Sequence, residues 1–148
     1  MERTALLIYR AVMPRPVHFE IHATDPAAVR AFYESVLGWR FQQWGENPYW
    51  IIITGDGDPM AGVPHSQPGV NGGLMPRRGE APTEGQAVNA FVMTVEVPDC
   101  DGYVERALTA GGSVALPAQD MPGVGRLAYI TDPDGNLLGL LQGEAAAT

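Results

Sequence analysis

The sequence predicts an α+β fold of two βαβββ modules, their strands forming a cupped mixed sheet with the helices on the outside. Three observations carry the prediction. Residues 17–38, "VHFEIHATDPAAVRAFYESVLG", and 91–112, "FVMTVEVPDCDGYVERALTAGG", follow one plan: alternating residues, an Asp, a helical stretch and a Gly. The interval from Asp25 to Gly38 equals that from Asp99 to Gly112. Each half then continues with three further strand-like runs, broken by "GDGD" (55–58) in the first and "DPDG" (132–135) in the second, both turn-forming sequences. Repetition on this scale is the mark of a duplicated supersecondary unit.

Each element follows from local chemistry. The opening strand alternates Phe19, Ile21 and Ala23 with His18, Glu20 and His22, so the two sets face opposite ways. Asp25 can cap a helix whose first residue is Pro26, where the missing N–H costs little. Val29, Phe32, Tyr33, Val36 and Leu37 recur at helical spacing, and Gly38 supplies a left-handed stop. The runs "WRFQQW" (39–44), "YWIIIT" (49–54) and "NGGLM" (71–75) complete the first module. In the second, Phe91 to Val97 form the strand, and Val104, Ala107 and Leu108 a weaker helical stripe ending at Gly111 and Gly112. "SVALPA" (113–118), "RLAYIT" (126–131) and "NLLGLLQ" (136–142) follow. The boundaries are then a tail or edge segment at 1–15, module one at 16–76, a Pro/Gly-rich linker at 77–88, module two at 89–143 and a tail at 144–148.

Composition narrows the function. Among 148 residues, 45% are hydrophobic and 18% charged, an ordinary balance for a globular domain. A net charge of −8 argues against nucleic acid as a partner. No run of about 20 apolar residues is present to span a membrane, and the Ala5–Tyr9 run is shorter than a signal-peptide core. The single cysteine, Cys100, cannot form an internal disulfide and fits a reducing compartment. These features lead us to expect a cytoplasmic protein that binds a small molecule.

The apolar side of each opening strand needs a cover, which the amphipathic helices provide. The other side carries His18, Glu20, His22, Thr94 and Glu96, with Trp50 from the neighbouring apolar run. Such a surface suits a pocket with a few convergent polar groups. Gly73 and Gly139 occupy equivalent points of the two modules, and glycine inside a strand marks a bend or room for a ligand. We therefore expect His18 and Glu20 as acid–base groups, and His22, Trp50, Gly73, Thr94, Glu96 and Gly139 as ligand-binding positions. His65, in "GVPHSQPG", reads as a loop histidine, and Cys100 as a small half-buried filler.

The pattern "VHFEIHATDPAAVRAFYESVLGW", with the later "AGG" and "DPDGNLLGLLQ", resembles the vicinal oxygen chelate superfamily. That superfamily includes glyoxalase I, bleomycin-resistance proteins and extradiol dioxygenases. The resemblance spans about residues 16–142 and is nearest to a glyoxalase-related bacterial branch. It implies paired βαβββ modules, a homodimer, and a lyase, isomerase or dioxygenase type of chemistry. In metal-dependent members each module contributes two ligands to a divalent ion acting as a Lewis acid. Carried over position by position, His18 is the one retained ligand. Gly73, Val92 and Gly139 stand at the other three places, so a divalent cofactor is doubtful. Ligands on one strand, about 7 Å apart at alternate positions, do not surround an ion unaided. Two readings follow: a glyoxalase-related enzyme for a small oxygenated metabolite, or a metal-free protein that sequesters a drug or metabolite.

Overall fold

The computed structural model describes residues 15–144; of the expected tails, only Arg15 and Glu144 fall within the described residues. The first module comprises β1 (Phe19–Ala23), α1 (Pro26–Leu37), β2 (Arg40–Gln43), β3 (Trp50–Ile53) and β4 (Gly72–Pro76). The second comprises β5 (Met93–Glu96), α2 (Cys100–Thr109), β6 (Ser113–Met121), β7 (Gly125–Thr131) and β8 (Leu137–Gly143). The duplicated α+β plan is present in full.

Both helices start as the sequence dictates. The Asp25 carboxylate accepts from Ala28 N–H and the Asp99 carboxylate from Gly102 N–H, caps worth about 1 kcal/mol each. Gly38 ends α1 at φ 71°, its N–H donating to the Glu34 carbonyl. On α1 the side chains of Val29, Phe32, Tyr33 and Val36 are buried and Leu37, the last of the apolar stripe, is half-buried.

Each module makes one four-stranded mixed sheet, in the orders β1-β4-β3-β2 and β5-β8-β7-β6. In each, the first strand runs parallel to the last and the remaining pairs are antiparallel. The expected cupped sheet is thus divided in two, because among the described residues β1 and β5 are both sheet edges with no ladder between them. The modules join elsewhere. Helices α1 and α2 touch, and one core runs through both halves, from Ile21, Phe32, Tyr33 and Leu74 to Cys100, Val104, Ile130 and Leu140.

A polar clasp adds to this core. Asp134 accepts from Arg77 Nε and Nη2 at 3.0 and 2.8 Å and from Thr24 N–H at 2.9 Å. Asn136 Nδ2 donates to the His22 carbonyl, which Arg77 Nη2 also reaches at 2.8 Å. Asp132 is buried and accepts from the Tyr33 hydroxyl at 3.0 Å. The "DPDGN" run is therefore a turn and also the bolt between modules.

Two boundaries differ from expectation. Strand β6 continues past Ala118 to Met121, with register shifts between Val114 and Gln119. Pro117 lies within that irregular stretch, where an edge strand tolerates the missing N–H. Strand β5 begins at Met93, leaving Phe91 fully exposed.

Candidate functional site

Pairing register shows which side chains share a face. Glu20 lies beside Gly73 and His22 beside Met75, while Gly73 lies opposite Ile51 and Ile51 opposite Gln42. Ile21, Leu74 and Ile52 belong to the other face and are buried against the helices. The polar row of β1 is consequently directed away from the helices, as the alternation requires.

On that face His18, Glu20 and His22 form a connected row. His22 Nε2 is 3.3 Å from Glu20 Oε1, and His18 Nε2 is 3.5 Å from Glu20 Oε2. The hydroxyl of Tyr49, which precedes β3, lies 3.1 Å from His18 Nε2 and donates to Glu20 Oε2 at 3.3 Å. The side chains of His18, Glu20 and His22 are 48%, 38% and 47% exposed, so a solute can reach them. Burial pushes the Glu20 carboxyl up, but hydrogen bonds from His22, His18 and Tyr49 outweigh it, and its pKa falls below the ordinary value. Burial and the facing Glu20 charge raise the Tyr49 phenol. At neutral pH Glu20 is thus an ionised acceptor and Tyr49 a neutral donor.

The remaining expected residues are distributed differently. Thr94 and Glu96 are exposed on β5, and Thr94 lies beside Gly139 of β8. No hydrogen bond or ion pair joins this group to the His18 row among the described residues, because the two belong to separate sheets. Trp50 is corrected as a lining residue. Its register opposite Leu74 puts it on the helix-covered face, where Arg30 sits 5.8 Å over its ring. Gly73 and Gly139 do not leave open room either. A Cβ at Gly73 would collide with the Tyr49 hydroxyl, and one at Gly139 with Thr94 Oγ1 and the Tyr129 ring. Neighbouring side chains fill the space that the glycines leave.

The glyoxalase/bleomycin resistance protein/dioxygenase superfamily model matches residues 15–140. The chain belongs to this superfamily. A relative named "Putative glyoxylase CFP32", from Mycobacterium bovis, is 30% identical over 140 residues, covering 90% of this chain and 47% of the relative. The chain spans about half the length of the curated relatives that it matches. Among solved structures, a glyoxalase-related enzyme from Fulvimarina pelagi superposes with a TM-score of 0.61 at 17% identity, covering 88% and 89% of the two chains. The fosfomycin resistance protein FosX from Listeria monocytogenes, complexed with Mn(II) and 1S,2S-dihydroxypropylphosphonic acid, gives 0.64 at 17% identity, covering 90% and 93%. At these identities the structural likeness establishes the fold.

The superfamily raises the question of a metal, and the donor set answers it. Of the four positions that the metal-dependent members use, Gly73, Val92 and Gly139 offer no donor side chain, and the two glycines are overlaid by Tyr49, Thr94 and Tyr129. His18, Glu20 and His22 hydrogen-bond along one strand instead of converging, and no group of three or more His, Cys, Asp or Glu among the described residues is placed to hold an ion. These residues do not fit the usual centre of the superfamily.

Three further residues are placed by the structure. His65 is half-buried: its Nδ1 accepts from Gly57 N–H at 2.7 Å and its Nε2 faces Asn71 Oδ1 at 3.1 Å, so it pegs the 54–71 loop. Cys100 is fully buried, and burial pushes its thiol up. That leaves it an inert filler. Tyr49 escaped the sequence reading, although a tyrosine bordering an apolar strand that pairs with a glycine-bearing strand was a usable signal.

Proposed function

We propose that this protein is a glyoxalase-related enzyme acting on a small oxygenated metabolite at the face of module one. His18 exchanges a proton with the substrate, and Glu20 holds the imidazole and stabilises its protonated form. One observation carries the reading: two imidazoles and a phenol converge on a single ionised carboxylate on a solvent-accessible face. An isolated carboxylate on a wet strand has no such set of donors. A histidine paired with a carboxylate is the commonest general acid–base arrangement. The "glyoxylase" name of the mycobacterial relative agrees with it. His22 orients Glu20 from the other side, and Gly73, Thr94, Glu96 and Gly139 shape the two faces that would meet a ligand.

The working unit in this proposal is a homodimer in the cytoplasm. Among the described residues both polar faces lie open, β1 and β5 each pair on one side only, and Val17, Phe91 and Val92 are exposed beside them. A second copy is the natural cover for such edges. Sedimentation of the full chain would show a dimer; a monomer at micromolar concentration would remove this part. No helix among the described residues is long and apolar enough to cross a membrane.

The activity test is a panel of α-hydroxy and α-oxo carbonyl compounds and their thiol adducts, assayed with and without added divalent ions. Turnover that disappears in His18→Ala supports the proposal. Silence across the panel, or full activity in His18→Ala, refutes it.

A further inference from the structure

Tyr49 is joined to the polar row by three separate features. Its hydroxyl lies between His18 Nε2 and Glu20 Oε2, at 3.1 and 3.3 Å. It occupies the volume above Gly73, where any Cβ would collide with it. Its main chain is anchored too, the Tyr49 carbonyl accepting from Trp44 N–H at 2.9 Å. The ring is therefore held by the strand beneath it and by the turn behind it.

Proton counting fixes the direction of the row. An ionised carboxylate can only accept. The one hydroxyl proton of Tyr49 goes to Glu20, so towards His18 the phenol oxygen can only accept, and His18 Nε2 must carry the hydrogen. The same argument applies to His22, whose Nε2 faces Glu20 Oε1 directly. In each neutral imidazole the free lone pair then sits on Nδ1, which has no hydrogen-bond partner among the described residues.

We propose that Tyr49 is a positioning residue of this site: seated in the space that Gly73 vacates, it links His18 to Glu20 so that the imidazole offers Nδ1, and not Nε2, to the proton of a ligand. The ligand class this favours carries an acidic proton, a hydroxyl or a C–H next to a carbonyl, presented from the solvent side. Transfer forms N–H at Nδ1 and leaves the electron pair on the ligand, while the imidazolium keeps Nε2–H on the Tyr49 oxygen. Glu20, fed by donors from both sides, compensates the new charge without taking the proton itself. The proposal rests on the reading of this face as the site, but its test needs no substrate, so a failed activity screen and a failed Tyr49 test are separate results.

The experiment is NMR on the full chain with 15N-labelled histidine and tyrosine carrying 13C at Cζ. The Tyr49 resonance is assigned by its loss in Tyr49→Phe. In its neutral form the His18 imidazole should show a protonated Nε2 and a bare Nδ1. The Tyr49 titration midpoint should fall by about half a pH unit or more in Glu20→Gln, because the facing charge is removed. Gly73→Ala should displace the hydroxyl and produce the same fall with Glu20 intact. The opposite His18 tautomer, or a Tyr49 midpoint identical in wild type and Glu20→Gln, overturns the assignment. Glu20→Gln alters an exposed face and keeps the test decisive should Gly73→Ala fail to fold.

Discussion

Removing the Asp134 carboxylate should loosen one module from the other, and the structure sets the size of the effect. Asp134 receives two hydrogen bonds from Arg77 and one from Thr24 N–H, and the paired side chains are only 15% and 8% exposed. Breaking a fully buried ion pair by deleting one partner costs about 3–5 kcal/mol. Here Arg77 retains the Asn136 side-chain oxygen at 2.7 Å and the His22 carbonyl at 2.8 Å, so its charge is not orphaned. Asp134→Ala should therefore cost about 2–3 kcal/mol, below the buried range and above the roughly 1 kcal/mol ceiling of an exposed pair. For a chain of this length that is a drop in Tm of about 5–10 °C. Asp134→Asn, which keeps an acceptor for Thr24, should lose about half as much.

The assay is urea unfolding of wild type, Asp134→Ala, Arg77→Met and the double variant, followed by tryptophan fluorescence. A coupling energy of about 1.5 kcal/mol or more is expected between the two positions. Strict additivity, or a loss below about 0.5 kcal/mol for Asp134→Ala, would show that the clasp is a surface ornament and that the shared apolar core alone joins the modules.

Three other perturbations test neighbouring parts of the argument. Tyr33→Phe removes the hydroxyl that donates to buried Asp132 but leaves the bonds from Asn136 Nδ2, Asn136 N–H and Asp134 N–H; thermal unfolding should report a loss of about 1 kcal/mol, and no loss would mean that water replaces the hydroxyl. The Glu20 pKa is lower in the folded chain than in the unfolded one, so its contribution to stability is complete above the unfolded value and fades as pH falls through the folded one; the stability gap between wild type and Glu20→Gln should shrink on going from pH 6 to pH 3, and a gap constant across that window contradicts the donor row. Gly139→Ala forces a methyl against Thr94 and Tyr129, an overpacking cost of about 1–2 kcal/mol; an unchanged urea midpoint would show that these side chains swing aside freely.

Much of the fold was legible because its signals are local. Asp25 with Pro26, Asp99, and Gly38 each act through hydrogen bonds within a few residues, and each works as its type predicts. The alternation of β1 was equally plain: the face it assigned to His18, Glu20 and His22 is the face they occupy. What the sequence hid is long-range. That β1 and β5 are outer strands of separate sheets among the described residues depends on how two modules dock, and no spacing within either strand records it. Arg77 read as the start of a linker because its partners, Asp134 and Asn136, are more than fifty positions away.

The glycines were an ambiguous signal for a physical reason. A glycine in a strand announces that something comes close, without saying what. At Gly73 and Gly139 the visitor was taken to be a ligand, whereas the structure supplies Tyr49 at one and Thr94 with Tyr129 at the other. The same choice of face explains Trp50. Tyr49 and Trp50 are adjacent, so one must look at the polar row and the other at α1, and apolar character alone cannot choose between two aromatic rings. The tie is broken by hydrogen bonding: only a phenol can satisfy both His18 and Glu20 above a residue without a side chain, while the indole packs under Arg30. Where a strand paired with the Gly73 strand is entered through two successive aromatic residues, the one bearing a hydroxyl belongs to the site.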